Sequence, residues 1–120
     1  MAESWKQAAS ALEEGEVFTK DAPGKWAGKE GGHTPVLTKN SDGSVTVKVN
    51  HVMVAADGEK DDHWIEYVYA RDSAGTIVAI QKFVPTDENP TITFTPAEGA
   101  GTITPFSYCN KHGMWKGSSL

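Results

Sequence analysis

The order of hydrophobic and polar positions divides this chain into one short helix, a long irregular segment and a series of strands. From Ser4 to Glu14 the apolar residues recur at helical spacing, and Gly15 follows as a stop signal. The predicted apolar face consists of Trp5, Ala8, Ala9 and Leu12. Between Phe18 and His33 the chain is rich in glycine, lysine and proline without periodicity, which predicts a loop.

The pattern downstream of this loop is that of β-strands. Between Ser44 and His51 three valines alternate with polar residues, so the valines are expected to face a core; they are Val45, Val47 and Val49. The other predicted strands are Pro35–Lys39, His63–Arg71, Thr76–Val84, Thr91–Thr95 and Gly101–Tyr108. Six or seven short strands at near-regular spacing, with a single helix, predict an all-β fold in the form of an antiparallel β-sandwich.

Length and composition narrow the classes of protein. A chain of 120 residues is expected to form one domain with a single core. The net charge of −5 argues against a nucleic-acid partner, because phosphate binding needs clustered lysine and arginine. The single cysteine excludes a disulfide within the chain and favours a reducing compartment. The sequence has neither a secretory signal nor a bilayer-spanning apolar run, so we expect a cytoplasmic protein without a membrane partner.

The one cysteine lies in a segment that suits a transition metal. Cys109 is followed three residues later by His112, and a thiolate with an imidazole suits iron, copper, zinc or nickel. Gly113 would allow the chain to turn sharply after this pair. A buried packing cysteine beside an unrelated surface histidine would give the same short pattern, so the pair alone leaves both interpretations open.

Three more histidines stand where predicted strands meet loops. His33 precedes the first sandwich strand, His51 ends the valine-rich strand and His63 begins the next one. Each of them alone is more typical of a surface position. Because His51 and His63 bracket one connection, however, we expect them near one end of a sheet, and Cys109 ends another strand. The complete set offers four imidazoles and one thiolate.

Two metal chemistries compete for these groups. A blue-copper centre uses two histidines, one cysteine and a weak axial methionine, an order that the chain provides superficially in His51, Cys109, His112 and Met114. Only one residue separates the last histidine from the methionine, however, and two histidines would remain unused. A mononuclear iron held by four imidazoles in a plane and an axial thiolate would use all five groups and leave one open position.

Four motifs, in order, resemble those of the superoxide reductase family, which includes neelaredoxin and the iron domain of desulfoferrodoxin. The strongest is Cys109-Asn110-Lys111-His112-Gly113-Met114-Trp115, similar to the family's Cys-Asn-x-His-Gly-x-Trp. The family's His-Tyr-Ile-Glu-Trp, His-Pro-Met and His-Val-Pro-Val are similar to His63-Trp64-Ile65-Glu66-Tyr67, His51-Val52-Met53 and His33-Thr34-Pro35-Val36. The resemblance extends from Gly28 to Trp115.

This resemblance implies a fold, an activity and a cofactor. The fold would be an immunoglobulin-like antiparallel β-sandwich or barrel of about seven strands with a short N-terminal helix. The chain would reduce superoxide by one electron to hydrogen peroxide at one mononuclear Fe(II) per chain. The implied metal ligands are His33, His51, His63, Cys109 and His112. The implied partners are an external electron donor such as rubredoxin and further copies of the chain, in a homotetramer or a dimer.

On this interpretation the single domain, residues 1–120, comprises an N-terminal helix (1–16), an active-site loop (17–34) and the β-sandwich (35–120). The family carries Glu-Lys directly before its first histidine, whereas this chain has Lys29-Glu30-Gly31-Gly32. We expect the residues beside the open site to be Lys29, Glu30 and Lys111, with Lys25 as a further candidate cation. A lysine would attract the anion, and the glutamate would ligate oxidised iron.

A second departure from the family concerns the spacing of two ligands. His51 and His63 are farther apart than in the family, so residues 54–62 must form an enlarged loop. The alternatives to a reductase are a non-catalytic iron or copper electron-transfer protein of cupredoxin-like type, and a β-sandwich binding module whose histidines are incidental.

Overall fold

A computed structural model describes residues 2–57 and 61–120. Helix α1 (Ala2–Glu13) is followed by two short 3-10 turns, Gly24–Trp26 and Glu30–Gly32, which lie between the first two of eight strands. The strands are β1 (Val17–Phe18), β2 (Val36–Lys39), β3 (Val45–Lys48), β4 (Ile65–Arg71), β5 (Ile77–Lys82), β6 (Thr91–Phe94), β7 (Thr104–Cys109) and β8 (Gly113–Lys116). The enlarged loop falls partly on residues 58–60, outside the described residues.

The strands form two sheets, which confirms the predicted β-sandwich with its short N-terminal helix. One sheet has the order β1-β8-β7-β4-β5 and the other the order β2-β3-β6. The pairs in both sheets are antiparallel except β1 with β8, which is parallel. Strands β1 and β8 were not among the six strands predicted by range, so the described residues contain eight strands where about seven were expected.

Each face of the five-stranded sheet covers a separate group of buried side chains. Between the sheets lie Leu37, Val45, Val47, Val49, Ile65, Val68, Ala70, Phe83, Ile103 and Cys109. On the other face, beneath α1, lie Ala9, Tyr67, Tyr69, Ile77, Phe106 and Met114. Ile65 and Val68 face the same core although three positions separate them, because the register of β4 against β7 shifts between Ile65 and Tyr67.

Helix α1 packs against the outer face of the five-stranded sheet with the side that its sequence predicts. Ala9 is fully buried there, and the partly buried residues around it are Trp5, Ala8 and Leu12. At its C-terminal end Glu13 forms an ion pair with Arg71 of β4. The Arg71 guanidinium also lies over the ring of Tyr69, 5.8 Å from the ring centroid. No helix in the described part of the chain is both long and apolar enough to cross a bilayer.

The strand register brings several strand ends to one end of the sandwich. Val36 at the start of β2 pairs with Lys48 at the end of β3. In the other sheet, Ile65 at the start of β4 pairs with Cys109 at the end of β7. Residues that precede β2 and β4, or follow β3 and β7, therefore meet at this end. These are the places where the sequence carries its histidines and its cysteine.

Candidate metal centre

The structure brings the five predicted ligands together. One nitrogen from each of four imidazoles and the cysteine sulfur all lie within 4.8 Å of one another. The residues are His33, His51, His63, Cys109 and His112. They come from four separate parts of the chain, so their convergence depends on the tertiary fold.

The four imidazoles are arranged as the corners of a square. Neighbouring ring centroids are 4.5 Å apart for His33 and His51, and 4.6 Å apart for His51 and His63. The ring centroid of His112 lies 5.1 Å from that of His63 and 4.7 Å from that of His33. The diagonal from His33 to His63 is longer, at 6.4 Å. The sulfur of Cys109 lies almost equally far from two opposite corners, 3.8 Å from His51 Nε2 and 3.7 Å from His112 Nδ1.

His33 is held by contacts to both its ring and its backbone. Its Nδ1 donates a hydrogen bond to the carbonyl oxygen of Lys29 at 2.8 Å, since a carbonyl can only accept. Its own carbonyl oxygen accepts from the buried hydroxyl of Ser107 on β7 at 2.8 Å. The ring lies against the indole of Trp115, with centroids 5.5 Å apart. This arrangement leaves His33 Nε2 free to point into the square.

The enlarged connection between two ligands is closed by a backbone bridge. Val54 and His63 form an isolated antiparallel bridge with hydrogen bonds of 2.9 and 2.8 Å in the two directions. His51, three residues before Val54, donates from Nδ1 to the carbonyl oxygen of Val52. The bridge holds His63 against Val54, which follows His51 by three residues.

The buried polar atoms test whether a metal fits. In the described part of the chain, the Nε2 atoms of His33 and His63 are buried and have no hydrogen-bond partner. An unpaired buried nitrogen costs free energy, which a bound cation would recover. The donor set combines imidazoles with a thiolate and so suits iron, copper or nickel. Five donors exceed the four that structural zinc sites use. The five side chains therefore fit a transition metal.

The electrostatics of the site favour uncharged imidazoles. Burial is the largest cause that lowers the pKa of each of the four histidines, to about 4 for His33 and His63. Neutral imidazole is the form that binds metal. Burial also raises the pKa of the Cys109 thiol, while hydrogen bonds from the backbone N–H groups of Lys111 and His112 oppose this rise. A bound cation would complete the ionisation of the thiol.

Two lysines place positive charge beside the square. Besides burial, the main cause, the charge of Lys29 lowers the pKa of His33, His63 and His112. The charge of Lys111 acts in the same way on His63 and His112. Both lysines are exposed. Both lysines thus influence the imidazoles, while their role toward an anion stays a prediction.

Lys25 and Glu30 are engaged elsewhere in the same segment. The ammonium of Lys25 lies 5.2 Å from the ring centroid of Trp26, and the ring of Trp26 meets His112 edge-on. The Glu30 carboxylate accepts a hydrogen bond of 2.6 Å from the backbone N–H of Gly28. To ligate oxidised iron, Glu30 would have to break this hydrogen bond. Its role as a ligand therefore stays a prediction.

Met114, the axial ligand in the copper alternative, lies away from the cluster. Its side chain is buried on the other face of the five-stranded sheet, beneath α1. Its sulfur accepts a hydrogen bond from the Tyr69 hydroxyl at 3.5 Å. Cys109 by contrast lies between the two sheets. The geometry therefore does not favour a cupredoxin-like centre.

Sequence reasoning missed the residues that support the ligands. Trp115, fully buried, donates from Nε1 to the carbonyl oxygen of His112 at 3.1 Å. Gly117 passes so close to Pro35 that a methyl group there would overlap the Pro35 carbonyl oxygen. Asn110 and Ser107 bond to other ligand-bearing segments. Only the inclusion of Asn110 and Trp115 in the Cys-Asn-x-His-Gly-x-Trp motif could have indicated a role for them.

The fold and the site together define a β-sandwich with a candidate centre of four imidazoles and one thiolate. A family model described as desulfoferrodoxin matches residues 24–118, which is well over half of the chain. The chain therefore belongs to the desulfoferrodoxin family, as its motifs predicted. Among curated proteins, none matches this chain.

Several solved structures have a similar fold. The superoxide reductase (neelaredoxin) from Ignicoccus hospitalis is 26% identical, with a TM-score of 0.65 over 87% of this chain and 91% of that one. The superoxide reductase from Nanoarchaeum equitans is 21% identical, with a TM-score of 0.63 over 88% and 98%. The superoxide reductase from Treponema pallidum is 24% identical, with a TM-score of 0.56 over 73% and 67%.

The lowered histidine pKa values predict that the metal-free protein loses stability in acid. His33 and His63 titrate near pH 4 when folded and near 6.5 when unfolded, so between these values the unfolded state binds more protons. Their contribution is present above about pH 6.5 and is lost as the pH falls towards 4. Because solvent screens the half-exposed His63, we expect a loss of about 1–3 kcal/mol between pH 7 and 5. Urea unfolding at the two pH values measures it.

The His63→Gln variant is the matched control, because glutamine cannot take up this proton. Its metal-free form should show a smaller loss between the same two pH values. Equal unfolding free energies of the wild-type protein at pH 7 and 5 would contradict the assignment of neutral, buried imidazoles.

Proposed function

We propose that this protein is a superoxide reductase, an oxidoreductase that converts superoxide to hydrogen peroxide at one mononuclear iron per chain. The observation that carries the proposal is the square of four imidazoles with the thiolate beside it, in a chain of the desulfoferrodoxin family. The proposed ligands are His33, His51, His63, Cys109 and His112. Several solved structures with this fold are named superoxide reductases, which supports the same activity.

Iron, when bound in this donor set, supplies the one electron that superoxide accepts. The imidazoles of His33, His51, His63 and His112 and the sulfur of Cys109 would hold the iron, and a coordination position that they leave open would take the substrate. The thiolate contributes negative charge to the centre, and the backbone N–H groups of Lys111 and His112 moderate that charge through hydrogen bonds to sulfur. The protein in this way sets the electron density that the substrate meets.

The side chains at the rim attract the substrate and stabilise the charge that develops on it. Superoxide is an anion and the whole chain carries a net charge of −5, so attraction must be local. The ammonium groups of Lys29 and Lys111 provide this positive charge beside the square. Reduction of superoxide to hydrogen peroxide also consumes two protons; the exposed ammonium of Lys29 can hold one of them at Nζ, and the solvent that reaches this rim supplies the other.

The proposal extends to partners and location. Turnover needs an external one-electron donor, for which we propose a rubredoxin or a similar protein. We further propose a homo-oligomer, a tetramer or a dimer, located in the cytoplasm. Size measurement in solution and reduction of the oxidised protein by purified rubredoxin would test the two partner proposals separately.

The decisive experiment is to mix the reduced, iron-loaded protein with a pulse of superoxide and to measure hydrogen peroxide and dioxygen together. A reductase yields peroxide without dioxygen, whereas a dismutase would yield both. An inert protein that still binds iron would support the non-catalytic electron carrier instead. Metal analysis of anaerobically purified protein comes first, since iron must be present for the test.

Lys29→Ala is expected to slow the second-order reaction with superoxide by about 10-fold at low ionic strength, because the local attraction of the anion is weakened. The dependence of the rate on salt should become flatter as well. Stopped-flow measurement at several salt concentrations tests both expectations. Lys39→Ala is the matched control, since Lys39 is an exposed lysine at the far end of β2. Rates equal to the wild type at low salt would remove Lys29 from the reaction.

A further inference from the structure

Asn110 joins the two segments that carry Cys109 and His63. Its Oδ1 accepts a hydrogen bond of 3.0 Å from the backbone N–H of Trp64. Its Nδ2 donates a bond of 2.9 Å to the carbonyl oxygen of Asp62. Its backbone N–H donates to the carbonyl oxygen of Trp64 at 3.2 Å. The three bonds reach the residues on both sides of His63, while Asn110 itself is bonded covalently to Cys109.

The regular strand pairing holds Ile65 against Cys109 but ends two residues short of His63. The register of β4 against β7 shifts between Ile65 and Tyr67, just below the site. A shift of this kind lets two strands adjust locally, so the end of β7 needs a further restraint relative to His63. The bridge between Val54 and His63 fixes only the His51 side of the square. The bonds of Asn110 supply the restraint on the Cys109 side.

We propose that Asn110 is a positioning residue of the metal centre, which sets the separation between the Cys109 sulfur and the His63 imidazole. Its side chain contributes no atom to the cluster of donors. It acts through the backbone of Asp62 and Trp64, and so holds the thiolate at the distance that the square of imidazoles requires. The inference rests on the metal centre described under the proposed function. Supporting groups of this kind change metal affinity without binding the metal.

Asn110→Ala tests the proposal, with Co²⁺ as the probe in a titration of the metal-free protein. We expect the affinity for Co²⁺ to fall by about 10- to 100-fold. The thiolate-to-cobalt absorption of the loaded protein should also weaken or shift, because the sulfur is no longer held in place. A residue that only stabilised the fold would leave both readouts unchanged once the protein is folded.

Asn40→Ala is the matched control. Asn40 is also half-buried and donates two side-chain hydrogen bonds of 3.0 Å, to Ser44 and Thr46 in the other sheet. Its replacement should lower the stability of the metal-free protein by a similar amount and leave the Co²⁺ affinity and spectrum unchanged. If the control weakened Co²⁺ binding as much as Asn110→Ala, the proposal would be overturned.

Asn110→Asp provides a second test of the positioning role, which applies even if the alanine variant does not fold. Aspartate retains an acceptor for the Trp64 N–H but cannot donate to the Asp62 carbonyl oxygen. Its Co²⁺ affinity should lie between those of the wild type and the alanine variant, or below the wild type if the alanine variant is lost. Wild-type affinity and spectrum in both variants would refute the positioning role. Absence of Co²⁺ binding by the wild type would instead refute the metal centre, and the positioning role with it.

Discussion

Replacing Cys109 with serine is expected to abolish superoxide reduction and to lower the affinity for iron by more than about 100-fold. This loss is larger than the one expected when a residue that only supports a ligand is replaced. The side chain of Cys109 is fully buried, and its sulfur lies within 4 Å of two imidazole nitrogens. A serine hydroxyl is far less acidic than a thiol, so the centre would lose the one anionic donor among its five predicted ligands. The measurements are iron content, the charge-transfer absorption of the oxidised protein and peroxide yield after a superoxide pulse.

His63→Gln provides the comparison for this variant, because it removes one corner of the square and keeps the thiolate. It should weaken iron binding while the thiolate absorption persists in the fraction that binds iron. Far-ultraviolet circular dichroism should show both variants folded. A Cys109→Ser protein with wild-type iron content and absorption would exclude the thiolate as a ligand.

Gly117→Ala is expected to have the largest effect on the fold, a destabilisation of about 2–3 kcal/mol or more. A methyl group at this buried position would overlap the carbonyl oxygen of Pro35 and lie 3.0 Å from Pro105 Cγ. The obstacle is backbone on one side, so it cannot be removed by a rotamer change. Pro35 follows His33 by two residues, so the substitution should displace this ligand as well. Urea unfolding and a Co²⁺ titration measure the two effects.

Gly31→Ala is the control for this substitution. Gly31 lies in the segment before His33, and a methyl group there would meet no atom within 4 Å. Its stability should stay close to that of the wild type. A Gly117→Ala protein as stable as Gly31→Ala would show that the His33 segment can shift away from the β7–β8 pair without cost.

The strand most accurately predicted from the sequence has one face in the core and one outside. In β3 the alternating Val45 and Val47 are 3% and 0% exposed, as a half-buried strand requires. The alternation of apolar and polar residues does not predict burial in β4, because the three-stranded sheet covers one face of this strand and α1 covers the other. Val68 lies between the sheets and Tyr69 beneath the helix, and both are fully buried. The middle of the strand, residues 67–70, is accordingly apolar at every position and buried throughout.

Two strands, β1 and β8, were not predicted from the sequence, for different reasons. Strand β1 has only two residues, too few for any period to be visible, and its parallel pairing with β8 is purely tertiary. Strand β8 lies inside the motif that was interpreted for its ligands. Its buried residues, Met114 and Trp115, follow a glycine with a φ of +81°, where the chain reverses after His112.

The candidate ligands could be predicted from the sequence because their side chains are chemically distinct. The residues that hold these ligands in place could not be predicted. Histidine and cysteine are rare in this chain, with four and one copies, and both are common metal ligands. Asn110 and Ser107 are ordinary polar residues, and their bonding partners lie 46 and 74 positions away. No periodicity or short motif encodes contacts over such separations. The family motif marked Asn110 as part of a signature but did not say what it does.

The bridge between Val54 and His63 has a consequence for how freely this region can change in sequence. Because the two residues are paired directly, their positions relative to each other do not depend on how many residues lie between Val54 and Asp62. An insertion between these two residues would therefore leave the Val54–His63 pair and the hydrogen bond of Asn110 to Asp62 in place. The same property makes this segment a position for grafting a foreign peptide or a reporter group close to the candidate metal centre.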